Sequence, residues 1–174
     1  LMPLESGGIL YATVSDVKKG ESGAPGELHG SFQTDKDRGE LYANTDSGVF
    51  GTLTDTGLAD GLQALPVASR SDVKVGPATI RSNIAGDDVE EYTVEIIRVF
   101  PAGSHDTREL MVKVTDQRLL DATGGIVQGM SGSPILQNGK LVGSVTHVLI
   151  NDPTQGYGIL AETMLDTAKQ AQSA

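Results

Sequence analysis

The chain has 174 residues, enough for one domain or two small packed halves. It is 38% hydrophobic and 21% charged, the balance of a globular rather than a disordered chain. A net charge of −10 with no Lys/Arg cluster excludes a nucleic-acid partner, which needs a basic face, and argues against an anionic membrane surface. The absence of cysteine excludes disulfides, thiol catalysis and thiolate metal sites, and no apolar run is long enough to span a bilayer as a helix. No signal peptide is present, and the opening Leu1-Met2-Pro3-Leu4 reads as the interior of a longer protein.

Many glycines spread among short apolar runs predict turns and strands. Gly8 to Val14 is rich in strand formers. Lys18 to Gly30 is polar and glycine-rich and reads as a long loop. Gly48 to Leu53 is a short strand between turn residues. Leu65-Pro66-Val67-Ala68 reads as an edge segment, since proline cannot donate to a ladder. Pro77 to Ile84 is a strand, Gly86-Asp87-Asp88 a turn, Glu90 to Phe100 a long alternating strand and Leu110 to Val114 a short one. Ile135 to Gln137, then Asn138-Gly139, then Lys140 to Ile150 form a β-hairpin, because Asn-Gly suits the two positive φ angles of a type I′ turn. Helix is expected only at the C-terminus, where Met164, Leu165 and Ala168 make one apolar stripe over Ala161 to Ala171. The class is mostly β with a short C-terminal helix.

The chemistry concentrates in Gly124 to Ile135. A serine that attacks a carbonyl needs an exposed hydroxyl, a base, and N–H groups aimed at the developing oxyanion. In Gly129-Met130-Ser131-Gly132, the glycines allow a tight loop in which the N–H groups of Gly129 and Ser131 face one side. A hairpin follows, as in chymotrypsin-like peptidases. The lipase-type elbow is not matched, because Ser133 stands where its last glycine belongs and Pro134-Ile135 opposes a helix. No S-x-x-K motif starts at Ser131, because Pro134 stands at the lysine position. By itself the segment is equally a glycine-rich surface turn.

A longer text extends the match. Gly125 to Ile135, Gly139-Lys140-Leu141-Val142-Gly143, Val145-Thr146-His147-Val148, Asn151 to Thr154 and Gly156-Tyr157-Gly158 closely resemble the SpoIVB peptidase family of spore-forming bacteria. So do Gly20 to Glu27, Thr34 to Asp37, Gly48 to Gly51 and Val114-Thr115-Asp116, so the resemblance covers nearly the whole chain. It implies a chymotrypsin-like double β-barrel and a His–Asp–Ser triad. It also implies a parent protein with an N-terminal membrane segment and a PDZ domain ahead of the peptidase domain, here residues 1–174. The implied role is sporulation signalling. Exported from the forespore into the intermembrane space, the peptidase cleaves itself and a membrane-bound regulator of sigma-factor processing.

Carried over, Ser131 matches the nucleophile and Asp116 the triad acid, which orients the imidazole without taking the proton. Read without the resemblance, Asp116 is a turn residue or helix cap at Thr115-Asp116-Gln117-Arg118. The resemblance puts the histidine base in a Gly-His segment just ahead of the text matching Leu1. The chain's own histidines are His29, His105 and His147. His29 has no motif around it, and His105 sits at an expected hairpin tip. His147 follows the nucleophile loop on a strand that lines the substrate cleft in such folds. Without the upstream base, little peptidase activity is expected of these residues, and the N-terminal barrel should stay open, leaving an edge that invites dimerisation. The alternative is a binding or regulatory module of the same fold. No cofactor is expected, and no spaced metal-ligand set exists, with Asn151-Asp152-Pro153 read as a turn.

Overall fold

The computed structural model describes residues 6–103 and 107–172. Among them the C-terminal half forms a closed barrel of six strands. These are β6 (Gly76–Asn83), β7 (Val89–Val99), β8 (Leu110–Val114), β9 (Pro134–Gln137), β10 (Lys140–Leu149) and β11 (Asp152–Leu160), in the order β10-β11-β8-β7-β6-β9. All neighbours are antiparallel, and β9 closes the ring by pairing with both β10 and β6. Alternation dictates the filling. Ala78, Ile80 and Ser82 of β6 and Tyr92, Val94 and Ile96 of β7 are buried, while their neighbours are mostly exposed. Ile80, Ile96, Leu110, Val112 and Ile135 are completely buried. Each such side chain stabilises the fold by about 1.5–3 kcal/mol. The hairpin turn is as expected, with φ of 53° at Asn138 and 74° at Gly139.

The N-terminal half is open. β1 (Gly8–Ile9), β4 (Gly39–Thr45) and β5 (Gly48–Leu53) form one small sheet, and β2 (Ala12–Lys18) and β3 (Glu27–Phe32) a separate hairpin. Phe50 is its single buried hydrophobic side chain among the described residues, while Tyr11, Phe32, Val49 and Leu53 are exposed. An ion-pair cluster ties the segment before β4 to the segment after β5. Asp55 takes Lys36 Nζ at 2.9 Å and Arg38 Nη1 at 2.6 Å, and these cations hold its carboxyl down to about 2.

Several sequence expectations are corrected. The supposed loop Lys18 to Gly30 ends early, because β3 starts at Glu27. Helix is not confined to the C-terminus: α1 (Gln117–Thr123) lies between β8 and β9. It starts because the Asp116 carboxylate accepts from Arg118 N, and it stops at Gly124, whose φ is 77°. β4 and β11 are additional strands; β4 alternates in burial, while β11 does not and opens on Asp-Pro. The C-terminal helix α2 (Ala161–Gln172) forms as expected and packs on β4, β10 and β11. Its inward stripe includes buried Ala161 and half-buried Met164 and Ala168, but Leu165 points outward at 44% exposure.

Candidate active site

The segment after α1 is pinned at its apolar residues. Ile126, Val127 and Met130 are fully buried, and between them and β9 the chain reverses at Gly129 (φ 96°) and Gly132 (φ 93°). Those angles are strained for residues with a Cβ. The reversal leaves Ser131 exposed on the crest. The loop's amides divide into two sets. Gln128 N donates to Gly26 O, Met130 N to Val127 O, Gly132 N to Val145 O and Ser133 N to Met130 O, at 2.8–3.2 Å. The N–H groups of Gly129 and Ser131 donate to no described residue. Two free donors flanking an exposed hydroxyl form a pair that can hold a developing oxyanion.

A cleft of about 390 Å³ opens beside Ser131, between the nucleophile loop, β10 and the turn joining β4 to β5. Ser131 Oγ donates to Thr146 O at 2.9 Å across it. Thr146 Oγ1 is buried there and has no hydrogen-bond partner among the described residues. His147 also lines this cleft and is exposed, so Ser131 and His147 are brought together.

Asp116 is placed elsewhere. It is only 8% exposed and does not line the cleft. Its carboxylate accepts from Arg118 N, Nε and Nη2 and from Thr93 N, at 3.0–3.2 Å. The Arg118 guanidinium holds its pKa below the usual carboxylate value, and burial opposes this more weakly. The geometry is that of a helix cap locked by an ion pair. His29 is exposed, 3.4 Å from Glu27 Oε2, and lines a different cavity between β2–β3 and β6. His105 lies outside the described residues. No cluster of three His, Cys, Asp or Glu side chains occurs among the described residues. Asp152 spends its oxygens on Thr154 N, Thr154 Oγ1 and Gln155 Nε2 at the start of β11, so of the expected turn only Asn151 lies in the turn and Asp152-Pro153 open the strand.

One support was read as mere loop. Gly20 to Leu28 is stitched along the nucleophile segment: Gly20 N donates to Thr123 O, Leu28 N donates to Gln128 O, and Gly26 O accepts from Gln128 N. The fit is close, for a Cβ on Gly26 would lie 2.4 Å from Lys18 O and one on Gly124 2.2 Å from Gly20 O. Its density of glycine was the available signal, because close backbone-to-backbone packing needs residues without Cβ.

The family described as SpoIVB peptidase S55 matches residues 1–165. No curated protein matches the chain. Among solved structures, the chain is similar to Rv3671c protease from M. tuberculosis in its active form, at 14% identity and a TM-score of 0.58, over 92% of this chain and 72% of that one. The inactive form of Rv3671c protease is similar at 15% identity and a TM-score of 0.52, over 92% of this chain and 82% of that one. A mutant, inactive form from M. tuberculosis H37Rv gives 14% and 0.57, over 96% and 82%. At such identity the likeness is one of fold.

Proposed function

The chain belongs to the SpoIVB peptidase S55 family, and from that premise we propose that it is the serine endopeptidase domain of sporulation signalling, with Ser131 as nucleophile. The observation that carries this reading is the exposed Ser131 hydroxyl between the free N–H groups of Gly129 and Ser131. In the proposed reaction, Ser131 Oγ adds to the scissile carbonyl and gives its proton to a base. The two N–H groups hold the oxyanion, and the base then protonates the leaving amine. Water, deprotonated by the same base, releases the acyl group. The base is a histidine from the sequence ahead of Leu1, and the cleft beside Ser131 offers it room. His147 is the base of a second version of this reading, because it shares that cleft. The substrates are the protein itself and a membrane-bound regulator of sigma-factor processing, a reading supported by the family resemblance. A non-catalytic module of the same fold is favoured by one observation: the Ser131 hydroxyl rests on a carbonyl, not on a base.

A fluorophosphonate probe tests these readings on this chain and on the chain carried with its natural upstream sequence, with Ser131→Ala as control. Labelling at Ser131 only in the longer form supports the upstream base. Equal labelling of both forms, lost in His147→Ala, moves the base to His147. Absence of labelling in both sinks the peptidase reading. In sporulating cells, Ser131→Ala should leave the regulator uncut; normal cleavage there removes that substrate.

A further inference from the structure

A second cavity, of about 780 Å³, borders the nucleophile loop but shares no lining residue with the Ser131 cleft. It lies between the β2–β3 hairpin and β6, and Gly129 and Ser133-Pro134 form its side toward the loop. Leu62, Phe32 and Val89 line it, and at 65–74% exposure they are the three most exposed large apolar side chains among the described residues. Scattered exposed apolar residues are ordinary, but a group gathered around one concavity marks a binding surface.

The cavity is held open by the backbone. At one end Val14 N donates to Gly86 O at 3.0 Å and Gly86 N to Val14 O at 2.9 Å, while Thr13 Oγ1 donates to Asp87 at 2.7 Å. At the other end Leu28 N donates to Gln128 O at 2.9 Å. The hairpin is thus pinned to the barrel on both sides of the opening, and a ligand need not order it. The charged side chains of the lining already face partners, Arg81 with Glu91 at 3.0 Å and His29 with Glu27 at 3.4 Å. What the cavity offers a ligand is its apolar surface.

Its place in the chain names the ligand. Gly129 supplies one of the two N–H groups that hold the oxyanion, and Ser133 follows the nucleophile by two residues. Two residues of chain span at most about 7 Å, and an extended substrate covers that distance in two residues of its own. A side chain within about three residues of the scissile carbonyl therefore reaches the cavity. We propose that this cavity is a specificity subsite that takes a large aliphatic or aromatic side chain of the peptide being cleaved, with Phe32, Leu62 and Val89 as its apolar contacts. The inference rests on the serine-peptidase reading above. The nucleophile then comes from the closed barrel, and the choice of substrate comes in part from the open N-terminal half.

The experiment uses the full natural chain and a set of peptides of one scaffold, in which each position within three residues of the scissile bond is in turn Leu, Phe, Ala or Asp. At one position, Leu or Phe should exceed Ala by about 10- to 200-fold in kcat/KM, the range that hydrophobic pockets reach. Phe32→Ala should reduce that ratio at least threefold, and Leu62→Asp should bring it near one. Both sites are exposed, so the thermal midpoints should match wild type. Val75→Asp serves as control, because Val75 is comparably exposed and lines neither cavity; its ratio should stay at the wild-type value. Equal ratios in wild type, Phe32→Ala and Leu62→Asp overturn the inference, and so does an equal loss in Val75→Asp. Sedimentation velocity covers the other occupant: a wild-type dimer that dissociates in Leu62→Asp while the ratio holds would give the cavity to a second copy and also overturn it. If the wild type shows no Ser131-dependent cleavage, the peptidase reading fails and this inference falls with it. If it cleaves without preference at any position, only this inference fails.

Discussion

The two halves of the chain are built on opposite economies. The C-terminal barrel closes on itself, so every strand has two neighbours and no edge is left to protect. Its core holds a continuous set of buried side chains, from Ala68 to Leu160. The N-terminal half splits into a three-stranded sheet and a hairpin, buries Phe50 and leaves Tyr11, Phe32, Tyr42, Val49 and Leu53 exposed. The lesson is a division of labour. The barrel fixes the nucleophile loop by backbone hydrogen bonds and buried anchors. The open half supplies the cleft wall and the Gly20–Leu28 buttress, whose own order is borrowed from the barrel.

Glycine substitutions should break this comparison most sharply. A Cβ on Gly125 would lie 2.1 Å from Pro153 O at a φ of 137°. Gly125→Ala is therefore expected to abolish the cooperative urea transition followed by circular dichroism. Gly23 also has a positive φ of 80°, but nothing lies within 4 Å of its Cβ position. Gly23→Ala should cost only about 1–2 kcal/mol, the backbone term alone. Equal effects would mean that the buttress loop is as tightly held as the nucleophile segment.

Core truncation comes next. Ile135 is completely buried where β9 joins β10 and β6, so Ile135→Ala should cost about 2–5 kcal/mol in equilibrium unfolding. Val49, 53% exposed on β5, should cost about 0.5 kcal/mol or less as Val49→Ala. A comparable loss at Val49 would show that the open half has a core of its own in solution.

The smallest expected effect is on acid stability, and each half carries one marker. Asp55 in the N-terminal half and Asp116 in the barrel both have folded-state pKa values below the ordinary carboxylate value, lowered by Lys36 and Arg38 and by Arg118 respectively. A depressed folded pKa gives stability that is fully present above the unfolded value, near 4, and lost as pH falls through the folded value. Urea midpoints should therefore decline from about pH 4 downward. Asp116→Asn, which keeps a cap acceptor but not the charge, should flatten that decline for the barrel transition. An unchanged slope would remove Asp116 from the acid dependence. Asp55→Asn should flatten the slope more, since its carboxyl is held down to about 2 by Lys36 and by Arg38, which is only 18% exposed.

Much of the barrel was legible in the sequence because its strands alternate and its key turn is Asn-Gly. Tyr92, Val94 and Ile96 announce a strand by period alone, and Asn138-Gly139 announces a hairpin by φ requirement. The Ser131 loop was legible for the same local reason, since Gly129 and Gly132 mark a reversal. The buttress was not legible, because its order comes from distant backbone partners that no local pattern encodes. The hydrogen bonds of Gly20 to Thr123 and of Leu28 to Gln128 span about a hundred residues of chain.

The sequence by itself thus determined the fold class, the identity of the exposed serine and the glycines that free its neighbouring N–H groups, since all of these follow from residue type and spacing. Only the tertiary structure decided which side chains meet. It placed Asp116 at a helix cap against Arg118 and His147 in the cleft, and it gathered Phe32, Leu62 and Val89 around one cavity. The physical reason is that proximity between residues a hundred positions apart is set by strand register and barrel closure, which belong to the folded chain as a whole.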